Sequence, residues 1–149
     1  MKPQKIFFVL MLCFFLQSVT PPCFAAPSDI KWYSYEEGMA EGKKQGKKIF
    51  ITFRADWCGY CRKMEKETFK DPSVIAYLTE HFISIKVDTD RQKNLAVQYR
   101  VTGLPSNWFL TKTGEPIGNR PGYMATDVFL MVLKSLQEGE KGGGQTSAR

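Results

Sequence analysis

The sequence predicts a three-layer α/β sandwich, in which helices cover both faces of a mixed sheet of four or five strands. Two nearly all-apolar runs alternate with amphipathic segments, a pattern that is typical of parallel strands buried on both faces. Later in the chain, a polar turn separates two short strand-like runs and indicates an antiparallel hairpin. The sheet is therefore expected to contain both parallel and antiparallel pairs.

The first 25 residues have the pattern of a secretory signal peptide. Lys2 and Lys5 precede an apolar run of 11 residues at 6–16, whereas a membrane-spanning helix needs about 20. A cut after Ala25 would start the mature chain at residue 26. The chain is therefore expected to be exported and periplasmic, with a lipoprotein or a membrane-anchored form as the weaker alternatives.

The mature chain begins with a helix and a buried strand. The segment Ser34–Glu37 has the S-x-x-E form of a capping box, which predicts a polar surface helix to about Gln45. Gly38 and Gly42 are expected to weaken this helix. The run at 48–54 has a core of apolar and β-branched residues and predicts a central strand.

The alternation of helices and strands continues after the first strand. A helix is predicted over 58–70, and Asp71-Pro72 starts a second helical run because proline is favoured at the first helical position. A second buried strand is predicted over 82–87 and a short helix over 93–99.

The last third of the chain predicts the hairpin, a closing helix and a tail. Strand-like runs at 106–111 and 115–118 flank the polar turn. Thr126 can cap a final helix with an apolar stripe, and Gly139 is placed to end that helix. Residues 139–149 are rich in glycine and have no apolar residue larger than alanine, so a flexible tail is expected there.

Length and charge favour a single domain without a nucleic-acid partner. The 149 residues allow one core of ordinary size, which we assign to residues 26–138. Losing Lys2 and Lys5 leaves 19 basic against 15 acidic residues, so the formal charge falls from +6 to +4. The lysines between residues 43 and 48 have no interleaved aromatic residues and indicate a solvated face. We expect a monomer.

The cysteines indicate reactivity rather than stabilisation. Cys13 and Cys23 lie in the predicted signal peptide, which leaves Cys58 and Cys61. A bridge between these two would close almost no loop and would remove little entropy from the unfolded chain. A structural bridge and a zinc site are the alternatives, although zinc needs four ligands and the mature chain adds only His81. We expect no metal and no bound cofactor.

Cys58 follows a predicted buried strand and opens a predicted helix. Unpaired N–H groups and the dipole at a helix start stabilise a thiolate, and such sites lower the pKa of a cysteine to about 3.5–7.5. Cys61 lies one turn further on the same face, close enough to form a disulfide. Cys58 is therefore the predicted nucleophile and Cys61 the predicted resolving thiol, a redox-active pair.

Two segments resemble the thioredoxin superfamily. The run at 53–61, F-R-A-D-W-C-G-Y-C, is similar to the active-site segment of that family, and V-T-G-L-P at 101–105 is similar to its later loop. The resemblance extends over about residues 32–136. It implies the thioredoxin fold and the activity of a protein disulfide oxidoreductase.

The resemblance also implies the substrate-binding residues. Pro105 would be a cis-proline that lies against the CxxC pair, and Leu104 would contact the bound peptide. Trp57 is expected to pack beside the site and shield the disulfide, with ordinary core packing as the alternative.

Within the superfamily, the segment at 61–72 is similar to the exported thioredoxin-like domain that ends the membrane disulfide reductase DsbD. Glu65 corresponds to an acidic residue near the cysteines of that domain. A carboxylate near a buried thiol can take up its proton, so Glu65 is a candidate acid–base group. The alternative is a solvated glutamate that pairs with a nearby lysine.

Two positions depart from the family pattern. Thr52 occupies the position at which many thioredoxins have a buried aspartate, so a proton relay of that kind is absent. Gly59-Tyr60 matches the pair found in some exported disulfide isomerases, but the added dimerisation domain of those proteins is not expected here.

The predicted function is that of an exported thiol:disulfide oxidoreductase that reduces disulfides in periplasmic client proteins. Its expected partners are exported proteins with disulfides and a thiol donor such as a membrane reductase. A disulfide oxidase or isomerase, and a non-catalytic binding module on a thioredoxin scaffold, are the alternatives that the sequence leaves open.

Overall fold

A computed structural model describes residues 27–142 of the chain. The predicted signal peptide at 1–25, the cleavage before residue 26 and the tail from residue 143 lie outside the described residues. Across 27–142, none of the helices has both the length and the apolar character that crossing a bilayer requires.

Five strands form one mixed sheet: β1 (Trp32–Tyr33), β2 (Lys48–Arg54), β3 (Phe82–Asp88), β4 (Ser106–Leu110) and β5 (Pro116–Pro121). Their order across the sheet is β1-β3-β2-β4-β5. The central strand β2 is parallel to β3 and antiparallel to β4. The edge strands are β1, which is parallel to β3, and β5, which is antiparallel to β4. The predicted mixed sheet and the central place of the strand at 48–54 are confirmed.

Helices connect the strands and close both faces of the sheet. They are α1 (Tyr35–Gln45), α2 (Gly59–Lys66), α3 (Pro72–His81), α4 (Lys93–Gln98) and α5 (Thr126–Gly142), with a short 3₁₀ helix at Thr68–Lys70. The predicted capping box starts α1, because Ser34 Oγ accepts from the Glu37 N–H at 3.4 Å and the Glu37 carboxylate accepts from the Ser34 N–H at 3.3 Å. Asp71 caps α3 by accepting from the Ser73 N–H.

The side chains of β2 point alternately into two separate cores. Ile49, Ile51 and Phe53 face one core, which α1 and α4 close. Phe50 faces the other core, among residues of α2, α3 and α5, and its ring centroid lies 5.2 Å from that of Phe129. One sheet between two helical layers is the predicted three-layer sandwich, which is confirmed.

Helix α1 approaches the sheet closely at two glycines. A Cβ added to Gly38 would lie 2.2 Å from Ile85 Cγ1, and one added to Gly42 would lie 2.7 Å from Ile49 Cγ1 and Cδ1. Both glycines are buried. The residues expected to weaken the helix are therefore the points at which its backbone contacts the sheet.

The helix predicted over 58–70 is interrupted. It ends at Lys66, and the chain then forms the 3₁₀ helix that begins at Thr68. The Thr68 hydroxyl, which is buried, donates to the Met124 carbonyl at 2.6 Å, and Phe69 enters the core. Both Thr68 and Phe69 are buried at this change of direction.

The final helix is longer than predicted, because it continues past the residue at which it was expected to end; the flexible tail at 139–149 stays a prediction. The helix continues through Gly139 to Gly142. A glycine inside a helix costs about 1 kcal/mol relative to alanine, which is too little to end a helix of 17 residues that buries Phe129 and Leu133. The helix begins at Thr126, with the Ala125 carbonyl accepting from the Phe129 N–H.

Candidate functional site

Cys58 and Cys61 form a disulfide at the point where β2 leads into α2. Their Cα atoms are 5.3 Å apart. Cys58 is the N-cap of α2, and its Sγ accepts a hydrogen bond from the Cys61 backbone N–H at 3.2 Å. Both residues are buried, with exposed fractions of 6% and 2%. The helix start thus directs a backbone donor at the Cys58 sulfur.

The local sequence explains this placement. Ala55 is fully buried where the chain leaves β2, and its carbonyl accepts from the Cys58 N–H at 3.1 Å, which turns the chain into the helix. Within α2, Cys61 and Met64 are buried while Arg62 and Lys63 are exposed. The helix therefore turns Cys61 inward and anchors it through Met64.

The loop before β4 lies against the cysteine pair. The Leu104–Pro105 peptide bond is cis, and Pro105 is buried. Leu104 packs against the cluster formed by Ala55, Cys58 and Cys61. The structure therefore brings the residues of both family-like segments together at one end of the sheet.

Trp57 lies at the surface beside the disulfide. Its side chain is 67% exposed, and its Nε1–H donates to Asp90 Oδ2 at 3.0 Å. The alternative in which Trp57 packs into the core is therefore wrong. The hydrogen bond ties the indole to the loop after β3.

Glu65 lies in an ion-pair network one turn beyond Cys61. Its Oε1 is 3.3 Å from Arg54 Nε and 3.2 Å from Lys86 Nζ, and its side chain is 27% exposed. These contacts agree with the alternative in which the glutamate pairs with a basic side chain. Its role as an acid–base group remains a prediction.

Arg54 organises the loop that precedes Cys58. Its side chain is 15% exposed and lies among the carboxylates of Asp56, Glu65 and Asp88. Burial alone would lower the pKa of Arg54, but the hydrogen bond to Asp56 and the surrounding carboxylates outweigh burial and raise it. The hydrogen bond and charge of Arg54 in turn lower the pKa of Asp56. Sequence analysis did not single out Arg54, although a cation at the end of an apolar strand is a detectable signal.

A neutral buried pair occupies the position of the family's aspartate. The Thr52 hydroxyl donates to Asn107 Oδ1 at 3.0 Å, and both side chains are buried. Asn107 Nδ2 donates to the carbonyls of Arg120 and Gly122, each at 3.2 Å. Sequence analysis did not identify Asn107. The signal that could have identified it is a polar amide side chain in a strand that is otherwise mostly buried.

His81 lies far from the cysteine pair. It ends α3, just before β3 begins, whereas Cys58 follows the end of β2, and these two strands are parallel. The His81 ring packs on Tyr77 with centroids 4.4 Å apart. In the part of the chain that the structure describes, no three His, Cys, Asp or Glu side chains are grouped so as to hold a metal ion.

Comparison with known proteins identifies relatives of the chain. The model of the thioredoxin-like domain family matches residues 35–137. The thiol:disulfide interchange protein DsbD of Vibrio vulnificus is 34% identical over 107 residues, which are 68% of this chain and 18% of that protein. The disulfide bond reductase DsbH of Chlamydia pneumoniae is 30% identical over 112 residues, which are 65% of this chain and 68% of that protein.

Solved structures show the same fold. A thioredoxin from Thermus thermophilus superimposes with a TM-score of 0.70 at 30% identity, covering 81% of this chain and 98% of that chain. A DsbH oxidoreductase superimposes with a TM-score of 0.67 at 23% identity, covering 83% and 92%. The predicted fold class is thus confirmed by comparison as well as by topology.

Proposed function

Because this chain belongs to the thioredoxin-like family, we propose that it is an exported thiol:disulfide oxidoreductase that reduces disulfides in periplasmic client proteins. The observation that carries the proposal is the Cys58–Cys61 disulfide at the start of α2, where a backbone N–H points at Cys58 Sγ. The name of one relative, disulfide bond reductase, supports the direction of the reaction. The signal-like first 25 residues support the location.

The first step joins the reduced protein to its client. The Cys58 thiolate attacks one sulfur of the client disulfide, a new S–S bond forms, and the second client sulfur leaves as a thiolate that takes up a proton. A helix-start N–H stabilises negative charge on the sulfur it contacts. The Cys61 N–H contacts Cys58 Sγ, which supports Cys58 as the nucleophile.

The second step releases the client. Cys61 gives up its proton and attacks Cys58 Sγ, the bound client sulfur leaves as a thiolate and is protonated, and the Cys58–Cys61 disulfide forms again. The client has then gained two electrons and two protons. A thiol donor outside this chain, such as a membrane reductase, must reduce the pair before the next cycle, and no bound cofactor is required.

We place the client along the loop at Leu104 and Pro105. Leu104 packs against the cysteine cluster, so a peptide that contacts this loop lies within reach of Cys58. Trp57, exposed on the other loop at the site, would contact the same peptide. Glu65 is our candidate for the group that accepts the Cys61 proton.

The reduction potential of the pair tests the proposal. We expect the pair to equilibrate with thiol buffers at a value nearer to that of thioredoxin, about −270 mV, than to that of the oxidant DsbA, about −120 mV. A value near −120 mV would make the protein an oxidase. A potential far below about −300 mV would indicate an inert bridge and a binding module.

Trapping of clients tests the roles of the two cysteines. Cys61→Ser removes the resolving thiol and should accumulate mixed disulfides with exported proteins, whereas Cys58→Ser should accumulate few. The variant that lacks both thiols is the control for nonspecific capture. The reverse pattern would exchange the two assignments.

A further inference from the structure

An aromatic ring from the first turn of α2 and one from the loop between β5 and α5 meet beside the disulfide. Tyr60 lies between the two cysteines in the sequence, and its side chain is 65% exposed. Tyr123 lies in the loop between β5 and α5, and its ring centroid is 6.4 Å from that of Tyr60, with the planes inclined at 38°. We refer to Tyr60 and Tyr123 together as the aromatic ledge. Sequence analysis assigned no contact to either residue.

Tyr123 is held in place by α2, the helix that begins after Cys58, and by Glu67, the residue that caps its C-terminal end. Its hydroxyl donates to Glu67 Oε2 at 2.7 Å, and this hydrogen bond raises the pKa of Tyr123. Lys63 Nζ lies 4.8 Å from the centroid of the Tyr123 ring. A ring that is already held loses little conformational freedom when it contacts a ligand, so it is suited to recognition.

The backbone before Tyr123 is tied to the loop that contains Pro105. The Gly122 N–H donates to the Pro105 carbonyl at 2.7 Å. The Gly122 carbonyl accepts from the buried amide of Asn107. Gly122 has φ +91°, a conformation that favours glycine. The aromatic ledge and the edge at Leu104 and Pro105 are therefore connected by direct hydrogen bonds.

Tyr123 contacts side chains of both charge signs. Glu67 and Lys63 carry opposite charges, and both contact Tyr123. These contacts therefore give the ledge no single sign of charge by which to select a charged client residue. Two adjacent rings, one of them mostly exposed, instead favour an aromatic or large apolar side chain, because aromatic contacts add binding energy beyond the area they bury.

We propose that Tyr60 and Tyr123 are specificity-determining residues that favour clients with an aromatic or large apolar side chain next to the reacting cysteine. This inference rests on the proposed function. The contact is made to the client and not to the reacting sulfurs, so it acts on the choice of substrate.

Two matched peptides test the inference. Each contains one intramolecular disulfide, and they differ only in a phenylalanine or an alanine next to the cysteines. We expect the wild-type protein to reduce the phenylalanine peptide with a kcat/KM about three to ten times higher, mainly through KM. Tyr60→Ala should bring this ratio close to one, and Tyr123→Ala gives a second, independent measurement. Met131→Ala, which removes an exposed apolar side chain on α5, should keep the ratio.

Each outcome has a distinct meaning. Reduction of both peptides with equal kcat/KM overturns the inference but leaves the proposed function intact. Reduction of neither peptide overturns the proposed function and the inference with it. If the ledge instead covers a second copy of the chain, the wild type will sediment as a dimer and Tyr60→Ala as a monomer, which also overturns the inference.

Discussion

Replacing Gly38 by alanine tests whether packing sets the position of α1. In an exposed helix this change stabilises by about 1 kcal/mol, because glycine is the poorer helix former. At position 38 the added Cβ would lie 2.2 Å from Ile85 Cγ1 and 2.5 Å from its Cδ1. Ile85 is fully buried on β3, and close-packed cores leave little room for a side chain to move.

The two effects can be compared in magnitude. Adding a methyl group to a packed core costs about 1–3 kcal/mol, and contacts this far below the ordinary carbon separation of about 3.5–4.0 Å place the cost near the upper end. Subtracting the gain in helix propensity leaves a net loss of about 2 kcal/mol. For a domain of this size, the Tm should fall by roughly 8 °C.

Urea unfolding of the oxidised protein measures this loss. Ala40→Gly, on the exposed face of the same helix, is the matched control and should show the propensity cost alone, about 1 kcal/mol. In an Ile85→Ala background the Gly38→Ala change should become neutral or stabilising, because the clashing atoms are gone. A Gly38→Ala protein that is more stable than wild type would refute the argument, as would an equal loss in both backgrounds.

Four further predictions concern the site. In the reduced protein at mildly acidic pH, Cys58 should be alkylated faster than Cys61, because a helix start favours its thiolate; equal rates would contradict the assignment. Asn107→Leu removes the hydrogen-bond partner of the Thr52 hydroxyl and of the Gly122 carbonyl. Each unsatisfied buried group costs about 1–3 kcal/mol. Urea unfolding should therefore show a larger loss of stability for Asn107→Leu than for Thr52→Val. Glu65→Gln should slow the attack of Cys61, so that mixed disulfide accumulates in stopped-flow traces. Lys86→Met, which removes a partner of Glu65 but keeps its carboxylate, should not have this effect. If both variants accumulate mixed disulfide equally, Glu65 has a purely structural role. Arg54 lowers the pKa of Asp56 in the folded protein. The pair therefore stabilises the fold above about pH 3.9, the pKa of an unfolded aspartate, and this contribution is lost as the pH falls through the lower folded-state pKa. At low salt, Asp56→Asn should therefore make the free energy of unfolding fall less steeply as the pH decreases.

The elements that could be predicted are those with a strong local signal. The strand at 48–54 is an unbroken run of apolar and β-branched residues, and its predicted bounds are those observed. Cys58 at the helix start followed from the same local pattern. By contrast, β1 is only two residues long, and a pair such as Trp32 and Tyr33 has no period that a sequence can display.

The partners of the site residues depended on tertiary structure. Thr52 meets Asn107 because β2 and β4 pair in that register, across a separation of 55 residues. Arg54 lies near carboxylates from the site loop, α2 and β3, and the register of β2 with β3 places Asp88 beside it. Helix propensity alone predicts that Gly38 weakens its helix, but the close approach of Gly38 to Ile85 leaves no space for a side chain there. The local sequence pattern therefore predicts where the reactive cysteines lie, whereas the partners of the neighbouring side chains depend on tertiary structure.

The two edge strands affect whether copies of this protein associate through the edges of their sheets. A long, regular edge strand is a template for pairing with another chain and a cause of aggregation. Here one edge is the two-residue β1, and the other is β5, which begins and ends with proline, a residue that has no N–H to donate. The sheet is therefore poorly suited to recruit a further strand from a neighbouring molecule, which favours the expected monomer at high concentration.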